Sequence, residues 1–88
     1  MGGFTNTERD YKMTTATTAR INRALAKEGL TNIEFVRGEG YCYFIYDEAP
    51  RFFETESVYV PYVNSMPLDR WLEIGRDFHA ACQHAAAN

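Results

Sequence analysis

The sequence predicts one small α+β domain in the order α-β-β-β-α, a three-stranded antiparallel sheet with two helices packed on one face. Amphipathic segments at helical spacing lie near both ends of the chain, and strand-like alternation occupies its middle. The length of 88 residues is enough for one domain and too short for two. Residues 1–13 are polar and aperiodic, so they predict a flexible N-terminal arm ahead of a domain over 14–88.

The first helix is expected over residues 15–28. Thr14 or Thr15 can cap it through a side-chain hydroxyl, and Gly29 suits the left-handed conformation that ends many helices. Its predicted inner face consists of residues three or four apart, namely Thr17, Ile21, Ala24 and Leu25. A basic stripe lies beside that face and comprises Arg20, Arg23 and Lys27.

Three strands are predicted between the helices. Alternation over 32–37 indicates the first strand, and Gly38-Glu39-Gly40 supplies a hairpin turn. The second strand, over 41–46, is apolar on both faces, which is typical of a central strand. Residues 47–56 are expected to form a polar loop, and the third strand is expected over 57–62.

The second helix is expected to begin near Met66-Pro67-Leu68-Asp69 and to run to about Ala86. Proline is tolerated in a first helical turn, and an aspartate there complements the helix dipole. The predicted inner face of this helix is continuous and comprises Leu68, Trp71, Leu72, Gly75, Phe78, His79 and Cys82.

Composition excludes several classes of protein. The chain is 45% hydrophobic and 15% aromatic, which argues against intrinsic disorder. Its net charge of -3 argues against a general electrostatic hold on nucleic acid. There is no apolar run of the roughly 20 residues that a membrane span needs, and no signal-peptide core. The cytoplasm of a cell is therefore the expected location, with Cys42 and Cys82 as free thiols.

No pattern in the sequence predicts an enzyme, a cofactor or a metal centre. His79 and Cys82 lie three apart on a helix and Cys42 could join them, but no CxxC pair supports a metal site. Neither cysteine has the exposed position and adjacent base that a catalytic nucleophile needs. These three side chains are therefore interpreted as part of the core.

An acidic surface is the first candidate site. Residues 39–57 carry five carboxylates and one arginine, a net charge of -4. Carboxylates around an apolar anchor are typical of protein-binding surfaces, where charges steer the partner and rings supply binding energy. The candidate partner-binding residues are Asp47, Glu48, Phe52, Phe53, Glu54 and Glu56. The alternative is that both phenylalanines fold back under the loop as a satellite core.

A nucleic-acid surface is the second candidate, with Arg20, Arg23, Lys27, Tyr41 and Tyr43 as its residues. Exposed rings on a sheet can stack bases, but the acidic surroundings favour tyrosines that pack on each other, with Tyr59 across from them. The α-β-β-β-α order resembles double-stranded RNA-binding domains. Those domains open their second helix with a lysine cluster, where this chain has Pro67-Leu68-Asp69-Arg70.

Three stretches resemble a pattern seen in small orphan proteins of phages, plasmids and other bacterial mobile elements, namely Gly40-Tyr41-Cys42-Tyr43-Phe44, Ser57-Val58-Tyr59-Val60 and Trp71. The resemblance covers about residues 15–75 and carries over no functional residue. Some small acidic proteins of such elements are anti-CRISPR or anti-restriction proteins, which cover a nucleic-acid site on a host defence complex. The resemblance thus implies a non-enzymatic inhibitor that binds a bacterial protein complex.

The predicted partner is therefore a defence nuclease or surveillance complex of the host, without a membrane contact. Nucleic acid is a partner only under the second candidate. A homodimer formed through an edge strand is left open.

Overall fold

The computed structural model describes residues 15–87, and its architecture confirms the predicted α-β-β-β-α order. The sheet is antiparallel in the order β1-β2-β3. The predicted arm over 1–13 lies outside the described residues, as does Thr14. The elements are α1 (Thr18–Lys27), β1 (Ile33–Arg37), β2 (Cys42–Glu48), β3 (Phe52–Val58), a 3₁₀ turn (Val63–Ser65) and α2 (Leu68–Ala87).

Thr17 caps α1, so the prediction of Thr14 or Thr15 as the cap is wrong. The Thr17 hydroxyl accepts a hydrogen bond from the backbone N–H of Arg20 at 3.1 Å. Thr17 is consequently exposed and does not belong to the inner face, which consists of Ile21, Ala24 and Leu25. Gly29 has a φ of +78°, as predicted for the residue that follows this helix.

The third strand begins at Phe52, so the predicted loop over 47–56 and strand over 57–62 are wrong. Strand β2 continues to Glu48, the chain turns at residues 49–51, and β3 then pairs with β2 as far as Val58. Most β3 side chains are exposed, because β3 is an edge strand. An edge strand can carry polar residues on both faces, and for this reason the segment resembled a loop in the sequence.

The register of the strands divides their side chains between two faces. Cys42, Phe44 and Tyr46 of β2 are buried beneath the helices. The β3 residues directly opposite them, Val58, Glu56 and Glu54, therefore also point to the helix side. Phe52, opposite Glu48 at the end of the pair, points the same way. The opposite side, here called the open face, carries Glu34, Val36, Tyr41, Tyr43, Ile45, Asp47, Phe53, Thr55, Ser57 and Tyr59.

The core between the sheet and the helices is rich in aromatic rings. The ring of Trp71 meets that of Phe35 edge-on with 4.8 Å between centroids, and it lies 6.2 Å from that of Phe44. Gly75 allows α2 to approach the sheet closely, since a Cβ there would lie 3.0 Å from Leu25 and 3.2 Å from Phe44. The predicted inner face of α2 is confirmed, because all seven of its residues are buried.

The outer edge of β1 is closed by the side chain of Asn22 in α1. The Asn22 amide nitrogen donates to the carbonyl oxygen of Phe35 at 2.9 Å, and the Phe35 N–H donates to Asn22 Oδ1 at 2.8 Å. Both backbone groups that Phe35 turns away from β2 are thereby paired, as a further strand would pair them. No pattern in the sequence distinguishes this asparagine from a surface residue.

One ion pair joins α2 to the end of α1. Arg76 donates from Nε and Nη2 to the two carboxylate oxygens of Glu28, with both distances at 2.7 Å. These hydrogen bonds, opposed in part by burial, hold the pKa of Glu28 below its ordinary value.

Replacing Asn22 by alanine is expected to lower the free energy of unfolding by about 1–3 kcal/mol, because two partly buried backbone groups lose their partners. Asn64→Ala is the matched control, since the exposed Asn64 side chain makes no hydrogen bond with another described residue; its effect should stay below about 0.5 kcal/mol. Urea unfolding followed by tryptophan fluorescence measures both changes. Equal losses in the two variants would contradict this role of Asn22.

The stability that comes from the Glu28 ion pair should be present at neutral pH and be lost as the pH falls through the lowered pKa of Glu28. A carboxyl group with a lower pKa in the folded state binds fewer protons there than in the unfolded state, so acid favours unfolding. Glu28→Gln should therefore reduce stability at neutral pH by at most about 1 kcal/mol and flatten its decline in acid.

Chemical denaturation across a pH series measures this dependence. Asp77→Asn is the control, because Asp77 is exposed and forms no ion pair with another described residue. It should keep the pH dependence of the unmodified protein. A decline in acid that is unchanged by Glu28→Gln would refute the contribution of the pair.

Candidate partner-binding surface

The predicted acidic surface is divided between the two sides of the β2–β3 hairpin. Glu48, Glu54 and Glu56 point to the helix side, whereas Asp47 and Phe53 point to the open face. The expectation of a single loop surface is therefore wrong, because alternate residues of a strand point in opposite directions. The alternation of 52, 54 and 56 against 53, 55 and 57 was the sequence signal for this division.

The two phenylalanines have different environments. Phe52 is half-buried and packs against the core, and its ring meets that of Tyr46 edge-on at 5.9 Å. Phe53 is 56% exposed on the open face. The satellite-core alternative is therefore correct for Phe52 and wrong for Phe53.

Asp47 and Glu48 take part in the structure of the hairpin turn. Asp47 Oδ1 accepts a hydrogen bond from the backbone N–H of Ala49 at 3.0 Å, which is a local turn interaction of aspartate. Glu48 accepts a hydrogen bond from the hydroxyl of Tyr46 at 2.9 Å and lies 3.9 Å from Arg51. These two carboxylates therefore already have intramolecular partners.

Glu54 and Glu56 have exposed side chains and make no hydrogen bond or ion pair with another described residue. Being two residues apart on a strand, they lie about 7 Å from each other. They border a shallow depression between β3 and the second half of α2, here called the acidic groove. The acidic groove is lined by Phe52, Glu54, Thr55, Glu56, Phe78, Ala81, Cys82 and Ala85.

The acidic groove combines an apolar floor with a negatively charged rim. Lysine and arginine side chains fit such a place, because their aliphatic stems can cover apolar surface while the charged ends reach carboxylates. The geometry therefore suits a basic partner.

The five residues of the nucleic-acid candidate do not form one surface. Arg20, Arg23 and Lys27 are exposed on α1, on the helix side of the sheet, whereas Tyr41 and Tyr43 lie on the open face. The interpretation of the tyrosines as rings that pack on each other is confirmed. Tyr41 stacks on Tyr43 at 5.6 Å and on Tyr59 at 6.0 Å.

The interpretation of Cys42, Cys82 and His79 as core side chains is confirmed by their burial. Burial raises the pKa of both thiols, and the carboxylates of Glu54 and Glu56 raise that of Cys82 further. Because a carbonyl can only accept, His79 Nε2 donates its proton to the carbonyl oxygen of Thr31, at 2.9 Å. Within residues 15–87, no three histidine, cysteine or acidic side chains converge as metal ligands.

No protein-family model matches the chain, and comparisons with curated proteins and with solved structures found no significant match. In the part of the chain that the structure describes, no helix has the length and apolar character to cross a membrane. The geometry of the acidic groove is therefore the main basis for a functional proposal.

Both thiols of the folded protein are expected to react with a disulfide reagent such as DTNB at least about tenfold more slowly than an exposed thiol. The reason is their burial and raised pKa, which leave little accessible thiolate near neutral pH. Ala80→Cys supplies the control, because position 80 is exposed on α2 and does not line the acidic groove. Fast labelling of Cys42 or Cys82 without denaturant would show that the core opens readily.

Proposed function

We propose that this protein is a non-enzymatic inhibitor of anti-CRISPR type, which binds a bacterial defence complex through the acidic groove. The observation that carries this proposal is the pair Glu54 and Glu56, exposed above an apolar floor and without a partner among the described residues. Proteins that bind nucleic acids hold phosphates with clustered lysine and arginine. A carboxylate rim is complementary to such a cluster.

The inhibitor would act by occupying a phosphate-binding site, so no bond has to form or break. The carboxylates would steer the encounter and orient the complex, while the apolar floor of the acidic groove would supply burial. The resemblance to mobile-element proteins supports a defence nuclease or a surveillance complex as the owner of the basic site. The expected place of action is the cytoplasm of the bacterial host.

A nucleic-acid-binding module is the weaker alternative. The exposed ring of Tyr59, which stacks on Tyr41, favours it. The charged side chains that the strand register places on the same face are the acidic Glu34 and Asp47, and the basic stripe of α1 lies on the other side of the sheet. Among residues 15–87, the strand register therefore places no basic side chain beside the tyrosines to bind phosphates.

Reversing both charges, with Glu54→Lys and Glu56→Lys, should weaken binding to the target complex at least about 100-fold, because like charges then face each other. The control variant combines Glu39→Lys with Asp77→Lys, which makes the same change in net charge at exposed positions outside the acidic groove. The control should keep its affinity within about threefold.

The measurement uses purified CRISPR surveillance complexes and restriction nucleases. Biolayer interferometry reports their affinity for each variant, and target-DNA cleavage reports inhibition. If no such complex is bound or inhibited, or if the groove variant binds as well as the control, the proposal fails. Salt-dependent binding of oligonucleotides that requires Tyr59 would support the alternative instead.

A further inference from the structure

The two edge strands of the sheet differ in whether their outward backbone groups have hydrogen-bond partners. At β1, the side chain of Asn22 pairs with the N–H and C=O of Phe35. At β3, no described residue pairs with the outward backbone groups between Phe52 and Val58. This seven-residue edge contains no proline and no bulge, two common devices that prevent a further strand from adding.

The hydrogen bonds of Asn22 identify the β3 groups that point outward. Since Phe35 pairs with Asn22, its backbone does not bond to the opposite residue Phe44, and Phe44 must turn its N–H and C=O towards β3. The residue across from Phe44 is Glu56, which therefore bonds inward. By the same alternation the outward backbone groups belong to Phe53, Thr55 and Ser57.

We propose that the β3 edge receives a fourth strand from the partner protein, an extended segment in which basic residues alternate with apolar ones. Charge complementarity selects this occupant. Residues of the added strand on the helix side would lie opposite Glu54 and Glu56, where basic side chains are favoured. Residues on the other side would continue the open face beside the exposed ring of Phe53, where apolar side chains are favoured.

A second copy of this chain suits the edge poorly. Antiparallel pairing of two β3 strands centred on Thr55 would place each Glu54 opposite the Glu56 of the other copy, and directly opposed like charges destabilise a sheet. Residues 1–14 carry two acidic and two basic side chains, so they offer the edge no net charge complementarity. A basic strand from a partner is the occupant that the charges of β3 favour.

The inference rests on the proposed function only for the claim that a protein partner exists. Its test uses a synthetic ten-residue peptide with capped ends in which lysine alternates with isoleucine or threonine. A peptide of the same composition in scrambled order controls for charge. A third peptide keeps the alternating order but carries N-methyl groups on the residues whose N–H would face β3, which removes donors and leaves charge unchanged.

Isothermal calorimetry and amide hydrogen exchange on the full chain supply the two readouts. The alternating peptide should bind at least about tenfold more tightly than either control peptide, and it should slow exchange at Phe53, Thr55 and Ser57 at least about tenfold. Equal binding of the N-methylated peptide would overturn strand addition while leaving the acidic groove as a charged docking site. Failure of all three peptides to bind would also overturn it.

Other results separate the inference from the proposed function. Protection at Phe53, Thr55 and Ser57 by the peptide, without inhibition of any defence complex, would support strand addition and refute the inhibitor. Protection of these amides without peptide would overturn the inference. In that case, dimer formation on sedimentation identifies a second copy as the occupant. Loss of protection on removing residues 1–14 identifies the chain's own arm.

Discussion

The contact of Trp71 with the rings of Phe35 and Phe44 determines how the rest of the molecule is arranged. The indole lies under the middle of the sheet, and its Nε1 donates to the carbonyl oxygen of Val63 at 2.7 Å, which ties the 3₁₀ turn to the start of α2. Because the rings of Phe35 and Phe44 point to this side of the sheet, both helices pack on it. The other side of the sheet carries the tyrosines. A core of this kind buries much surface per ordered residue, which a short chain requires.

The packing of α2 on the sheet also determines what surrounds the side chains of β3. On β3, the side chains of Glu54 and Glu56 are exposed to water, whereas Phe52 packs against the core. The acidic groove is the space that remains between helix and edge. Its chemistry therefore depends on packing as much as on the acidic residues themselves, because the same carboxylates on a solvated loop would present no apolar floor.

The sequence predicted the helices and the first two strands well, because each helix and β1 has one apolar face and the central strand β2 is apolar on both faces. The spacing of apolar residues matches the buried positions in both kinds of element. Examples are the seven inward residues of α2 and the alternation of Ile33 and Phe35 with Glu34 and Val36 in β1. The β3 strand could not be located in this way, since an edge strand that faces water carries little hydrophobic pattern. The division of the candidate surface between two faces was missed because residues 47–56 were expected to form a loop, in which side chains do not alternate between two faces.

The role of Asn22 could not be read from sequence either, because it depends on a distance between α1 and β1. That role also makes the molecule sensitive to chemical ageing. Hydrolysis of the Asn22 amide to aspartate would leave Oδ1 able to accept from the Phe35 N–H, but it would replace the donor to the Phe35 carbonyl by a second, charged acceptor. Deamidation changes the mass by one unit and the charge by one. It would thus place a carboxylate oxygen against the Phe35 carbonyl oxygen, and the two would repel each other where the edge of the sheet was closed.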